Sequence, residues 1–232
     1  MTEVADRHPA RKRSGWVSKL LTLPFAAAGV ILVSILFSVL VEWVGIYCQW
    51  WEQPGDAHAR ATLASELGWL STEFTRSALV SEPVAMARQA IEVAYDTVII
   101  QSGIGPWLAQ YADDHGWMGT VYTYVMAAVH VALTILVRVI ILILTSPLFL
   151  LAGLVGIVDG LVRRDLRRFG AGRESAFIYH HAKRLTGPIF VTGWLLYLSL
   201  PGSVHPNVFL LPCAALFGLT LSITVGSFKK YL

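Results

Sequence analysis

Charged residues are scarce in this sequence. Only 14% of its 232 residues are Asp, Glu, Lys or Arg, whereas 55% are hydrophobic. A soluble domain has about 25% charged and about 45–50% apolar residues. We therefore expect much of the surface to face lipid, and the composition argues against a soluble enzyme.

Cysteines and catalytic signatures are scarce as well. The two cysteines, Cys48 and Cys213, exclude a disulfide scaffold or a cysteine-rich metal site, and we expect both to be free. There is no Gly-x-Ser-x-Gly, no glycine-rich phosphate loop and no His-Glu-x-x-His. His180 and His181 are adjacent, so on a helix they point about 100° apart and do not suit one metal ion. We predict a protein that is not an enzyme and holds no cofactor or metal.

Long runs without charge predict membrane spans. Leu20–Val41 has 22 uncharged residues, and a span needs about 20. Met118–Val158 has 41 residues with Arg138 as the only charge. We interpret it as one long helix, kinked at Pro147 or containing a re-entrant segment. Two shorter apolar runs follow, which brings the predicted number of spans to four.

The segment between the first two spans differs in composition. Residues 42–118 contain ten acidic and three basic residues. Apolar residues at helical spacing predict helices over about 56–79 and from Pro83 to about Gln101, and a third short helix follows Pro106. We name residues 52–118 the cap segment. It is too small for a large core of its own, so we expect it to rest on the bundle or on a partner.

Basic residues orient the chain. The N-terminus, residues 159–184 and the C-terminus hold five, seven and two of the eighteen Lys and Arg residues. Cytoplasmic segments carry this excess, so both termini are predicted in the cytoplasm of a bacterial inner membrane. The predicted architecture is an all-α, polytopic helical membrane protein of about four spans with a small periplasmic cap. Its segments are a basic N-terminus 1–19, spans at 20–48, 119–158, 185–200 and 207–228, the cap at 52–118, a basic loop 159–184 and a C-terminus 229–232.

Arg138 is the first candidate functional residue. A charge within a span is expensive, so it normally faces a bundle interior and finds a partner. Glu42 is the nearest carboxylate in the predicted topology, and a carboxylate or backbone carbonyls of a partner subunit are the alternatives. If the helix is long and shifted, Arg138 lies instead near a headgroup region.

Small residues at four-residue spacing form two ladders. Such ladders let helix backbones approach closely in lipid, within one bundle, with a partner or between copies of the chain. The ladders are Ala152, Gly156 and Gly160, and Ala214, Gly218, Ser222 and Gly226.

Arginines cluster after the second span. If residues 159–169 are helical, the arginines stack at four-residue spacing. We weigh attraction to anionic lipid, docking of an acidic cytoplasmic protein and contact with a DNA backbone, and direct DNA binding is the least expected. The cluster comprises Arg163, Arg164, Arg167, Arg168 and Arg173.

This stretch also carries a resemblance. Residues 158–175, VDGLVRRDLRRFGAGRES, followed by YHHAKR at 179–184, resemble the signature of a membrane-protein family of integrating conjugative elements, a domain of unknown function. The resemblance implies a role in conjugative DNA transfer through a type IV secretion apparatus, as a partner or scaffold of its coupling ATPase. It brings no catalytic residue. The residues alone leave two alternatives, a small transporter or channel using Arg138 and a membrane-embedded enzyme using His180 and His181.

Overall fold

The computed structural model describes residues 16–74, 77, 79–112, 114–169 and 176–227, without the side chains of 16–23, 176–183, 186 and 190. Within these ranges every regular element is a helix, so the all-α class is confirmed. The helices are α1 (Trp16–Tyr47), α2 (Ala57–Glu73), α3 (Pro83–Tyr95) continued by a π-helical segment (Asp96–Ile100), α4 (Ile104–Ala109), α5 (Trp117–Phe169), α6 (Ala176–Ser199) and α7 (Pro206–Gly226).

Helix α5 is the central helix of the fold. Its 53 residues correspond to about 80 Å at 1.5 Å per residue. Most of its buried residues lie between Ala127 and Phe149, and it contacts α1, α2, α3, α6 and, most extensively, α7. The single helix expected over 119–158 is present, and Pro147 lies inside it without ending it.

The helices continue past two predicted segment boundaries. Residues 159–169, which the sequence assigns to the basic loop and allows to be helical, form the last turns of α5. Helix α6 begins at Ala176 and runs through residue 185, where the third span is predicted to begin. Charge ends an apolar run but does not end a helix, because Arg and Leu have favourable helix propensities.

Within the described part of the chain, three helices are long and apolar enough to cross a membrane. They contain Pro24–Tyr47, Trp117–Phe169 and Pro206–Gly226, and α6 adds a shorter apolar stretch, Gly187–Ser199. Large apolar side chains on α1 and on the second half of α5 are exposed, among them Phe25 and Leu150 at 80% and 66%. Exposed apolar side chains on such helices suit contact with lipid.

The cap segment packs along α5. Its first helix, α2, begins near His130, where Asp56 lies 3.6 Å from the imidazole. It ends near the start of α7, where the Asn207 amide donates to Glu73 at 2.8 Å. The buried side chains of α2 are Ala59, Glu66 and Leu70. A buried carboxylate in this helix forms part of the site described next.

Candidate functional site

Arg138 and Glu66 form a buried ion pair. The Arg138 Nε donates to Glu66 Oε1 at 2.8 Å, and the two side chains are 2% and 0% exposed. The partners lie 72 residues apart and come from α5 and α2. Since water is excluded from both groups, each depends on the other for charge compensation.

The same guanidinium binds the carboxyl end of α6. Its Nη1 donates to the carbonyls of Leu200 at 2.6 Å and Leu198 at 3.4 Å, and its Nη2 donates to Gly202 at 2.7 Å. The last carbonyls of a helix have no partner within the helix, and a cation near them interacts favourably with the helix dipole. Arg138 therefore joins the cap segment, α5 and the α6–α7 turn.

Tyr197 completes this cluster. Its hydroxyl donates to Glu66 Oε2 at 3.3 Å, and the Arg138 guanidinium carbon lies 5.7 Å from its ring centre. Burial raises the pKa of the Glu66 carboxyl, whereas the Arg138 charge and the two hydrogen bonds oppose that rise. Side chains of α2, α5 and α6 thus meet at a buried polar junction in which Glu66 accepts from both Arg138 and Tyr197.

The position of Arg138 along the helix bundle explains how its charge is tolerated. Gly156 faces Gly218 and Gly160 faces Ser222, so α5 and α7 run parallel and in step. Arg138 contacts the turn that precedes α7. It therefore lies level with the end of the α6–α7 hairpin, not midway along it.

Glu42 is the nearest candidate partner for Arg138 within the sequence, and the structure pairs it with His58 instead. The His58 Nδ1 lies 3.0 Å from Glu42 Oε2. The His58 ring stacks on Trp51 with centroids 3.8 Å apart, and a Cβ at Gly45 would overlap the Trp51 indole. These contacts hold the α1–α2 loop against the end of α1, and Glu42 is already engaged there.

The two small-residue ladders pack against each other. A Cβ at Gly156 would overlap the Gly218 carbonyl. One at Gly218 would lie 2.7 Å from the Ala152 carbonyl, and one at Gly160 would lie 2.7 Å from the Ser222 carbonyl. Gly226 is looser, with the Gly160 carbonyl 3.4 Å away. The described structure thus uses these ladders within the chain.

The arginine cluster follows at the end of α5. Arg163 pairs with Asp159 at 2.9 Å and Arg168 with Asp165 at 3.9 Å, and both arginine side chains are 55% exposed. Asp159 also accepts a hydrogen bond from Ser222 of α7.

Two further arginines of the cluster lie on the same helix. Arg164 is half-buried and Arg167 is half-buried as well. Arg173 lies outside the described residues, as do the side chains of His180 and His181. Among the residues searched, no three His, Cys, Asp or Glu side chains are grouped as metal ligands.

Sequence reasoning missed Glu66 and the polar stripe of α1. Glu66 lies three residues after Leu63 and four before Leu70, so it interrupts the apolar face of α2. On α1, Ser34 and Ser38 are buried at four-residue spacing, one turn apart and in line with Glu42. A polar residue within an apolar stripe was the signal available in both cases.

Comparison with known proteins adds the family. No curated protein and no solved structure matches the chain. A family model described as IncC plasmid conjugative DNA transfer protein DtrJ-like matches residues 50–229. The resemblance to a conjugative-element family is thereby confirmed. Because the match covers most of the sequence, the chain belongs to the DtrJ-like family of conjugative DNA transfer proteins.

Proposed function

We propose that this protein is a non-enzymatic inner-membrane scaffold of a conjugative DNA-transfer machine. Its membership in a conjugative transfer family supports a role in conjugative DNA transfer, and its long apolar helices support a location in a membrane. In this proposal α6 crosses the bilayer as a fourth, short span. Both termini are then cytoplasmic and the cap segment is periplasmic, because the basic segments lie inside.

One observation carries the proposal: α5 is longer than a bilayer is thick. The helix is about 80 Å long, whereas the hydrocarbon core measures about 30 Å. The cap segment packs on its first half, and its last turns carry the arginine cluster beyond the small-residue ladder. A helix of this kind places two interaction surfaces on opposite sides of one membrane.

The cytoplasmic surface is the end of α5 together with the residues that follow. We propose that it docks an acidic face of the coupling ATPase, or of another membrane subunit of the type IV secretion apparatus. Complementary charge accelerates such encounters and selects partners. Exposed apolar side chains flank the arginines, with Leu166 at 67% and Phe169 at 91%, so a partner gains apolar contact as well. Anionic lipid attracts the same surface by about 1 kcal/mol per basic residue.

The test replaces Arg163, Arg164, Arg167 and Arg168 with Gln in an affinity-tagged chain. After mild detergent extraction, the wild type is expected to recover the coupling ATPase and the variant to lose it. The control replaces Arg60 and Arg88 of the cap segment with Gln, which should leave recovery unchanged. Loss of membrane insertion in the fourfold variant, or recovery of the wild type without any secretion component, would count against docking.

An anion channel built on Arg138 has less support. All three guanidinium nitrogens bind oxygen atoms within the chain. A selectivity residue has to offer its charge to the passing ion. Measurement of ion flux in liposomes separates the two functions, because the scaffold conducts no ions.

A further inference from the structure

A depression opens on the surface beside the α1–α2 loop. Its cavity volume is about 320 Å³, within the range of about 300–1,000 Å³ typical of ligand pockets. The walls come from the loop after α1, from α2 and from the α6–α7 turn. The residues that matter for its chemistry are Trp50, Trp51, Gln53, His58, Ser65 and Ser203.

One wall of this pocket is held rigidly. Trp51 lies between the backbone at Gly45 and the ring of His58, and His58 is bonded to Glu42. The neighbouring Trp50 is 63% exposed, although its backbone N–H is fixed to the Gly45 carbonyl at 2.9 Å. A preorganised wall lowers the entropy lost on binding.

The lining excludes several ligand classes. No Lys or Arg is among the described residues that line the pocket, and Glu52 adds a negative charge, so phosphates and nucleic acids are disfavoured. A metal ion has only Glu52 and His58 as charged or imidazole ligands, and His58 is already bonded. A purely apolar ligand would bury the amide and hydroxyl groups without partners.

What remains is a ligand with a flat carbon–hydrogen face and a rim of hydroxyls. We propose that this pocket binds a pyranose sugar, with the ring stacked on Trp50 and its hydroxyls bonded to Gln53, Ser65 and Ser203. An indole offers a large, rigid apolar surface. The Gln53 amide and the Ser203 hydroxyl can donate and accept, whereas the Ser65 hydroxyl, which donates to the Ala61 carbonyl at 3.0 Å, offers an acceptor; this mixture matches sugar hydroxyls.

The open shape favours one unit of a glycan chain over a free monosaccharide. In the proposed orientation the pocket faces the compartment that holds the cell-wall glycan. Access to that glycan depends on the proposed orientation, whereas sugar binding depends only on the residues that line the pocket. Labelling in cells tests the orientation, and titration of the purified protein tests sugar binding. The two can therefore fail independently.

The experiment uses the full-length chain in lipid nanodiscs, because maltoside detergents carry sugar headgroups that would compete. Soluble oligosaccharides of glucose, mannose and N-acetylglucosamine are titrated by calorimetry. We expect saturable binding of at least one of them and a loss of about tenfold or more in affinity for Trp50→Ala. Trp50→Phe, which keeps an aromatic face, should retain most of the affinity.

Trp107→Ala is the matched control, because Trp107 is 52% exposed on α4 and does not line the pocket. Its binding should equal that of the wild type. If Trp50→Ala does not fold, Gln53→Ala with Ser203→Ala replaces it and should weaken binding in the same way. The proposal is overturned if no sugar binds at concentrations on the order of 10 mM. It is also overturned if the Trp107 variant loses binding equally, or if Trp50→Ala binds the sugar as tightly as the wild type.

Discussion

Replacing Arg138 or Glu66 with Met tests the junction between the cap segment and the bundle. Glu66→Met leaves a buried guanidinium that cannot lose its proton. Removing one member of a buried ion pair costs about 3–5 kcal/mol. The three carbonyl contacts of Arg138 remain in this variant, which favours the lower end of that range.

Arg138→Met leaves the Glu66 carboxyl buried without its cation. Unlike a guanidinium, this carboxyl can become neutral by binding a proton. Protonating a carboxyl with an ordinary pKa of about 4.3 costs about 3–4 kcal/mol at pH 7. The carbonyls of Leu198, Leu200 and Gly202 also lose their charged donor, which adds about 1–3 kcal/mol where water cannot replace it. We expect about 4–7 kcal/mol in total.

The pH dependence of Arg138→Met has a defined sign. Burial raises the pKa of Glu66, and removing the opposing cation raises it further. A carboxyl whose folded pKa lies above its unfolded value contributes its full stability below the unfolded pKa and loses it as pH rises through the folded pKa. The variant should therefore gain stability on acidification from about pH 8 to pH 5, by at most about 1.4 kcal/mol per pH unit.

The double variant, Glu66→Met with Arg138→Met, completes a double-mutant cycle and gives the coupling free energy of the pair. With both charges removed, only the orphaned carbonyls remain, so the double variant should be no less stable than Arg138→Met. The coupling free energy should therefore be at least as large as the cost of Glu66→Met, about 3 kcal/mol. Arg60→Met, which breaks a pair whose arginine is 63% exposed, is the control and should cost less than about 1 kcal/mol.

The assay is reversible unfolding in mixed micelles with increasing sodium dodecyl sulfate, followed by tryptophan fluorescence. Additive effects of the two single substitutions, or single costs below about 1 kcal/mol, would refute the buried pair as the link between cap segment and bundle. A rise in stability of Arg138→Met at alkaline pH would refute the role assigned to Glu66.

Three further predictions concern the packing around this junction. Gly156→Ala should destabilise the chain by about 1–3 kcal/mol in the same unfolding assay, because its Cβ would overlap the Gly218 carbonyl. The control is Gly29→Ala, where nothing lies within 4 Å of the added Cβ, and it should be neutral or stabilising by up to about 1 kcal/mol. Equal effects of the two substitutions would contradict the packing of α5 against α7. His58→Ala should cost about 1–3 kcal/mol by leaving Glu42 without its partner, and limited proteolysis should then cut the α1–α2 loop faster; an unchanged cleavage rate would contradict that role. Ser222→Ala should cost about 0.5–1.5 kcal/mol by removing the hydrogen bond to Asp159, whereas Thr220→Ala, whose hydroxyl bonds only within α7, should cost less.

Much of the helical layout could be predicted because hydrophobic periodicity and capping are local signals. Pro83 begins a helix, as proline at a first helical position indicates. The two ladders were predicted as close packing faces, because small residues at strict four-residue spacing let helix backbones approach closely in lipid. Which ladder faces which, however, depends on the register of two helices.

The partner of Arg138 could not be found from local patterns. Glu66 lies in a helix whose composition indicates solvent on one side, and its pairing spans 72 residues. The continuation of the second predicted span into residues 159–169 as one helix could not be predicted from hydropathy either, because hydropathy marks where lipid contact ends rather than where backbone hydrogen bonding ends. Long-range pairing and helix continuity both depend on tertiary packing.

The proposed scaffold function depends most on α5 carrying the cap segment and the arginine cluster to opposite sides of a membrane. Single cysteines at Arg88 and Phe169, in a chain with Cys48→Ser and Cys213→Ala, can be labelled in spheroplasts with a membrane-impermeant maleimide. We predict that the cysteine at position 88 reacts in intact cells and that the one at position 169 reacts only after lysis. Labelling of both positions from the same side would contradict the orientation, and the proposed docking surface with it.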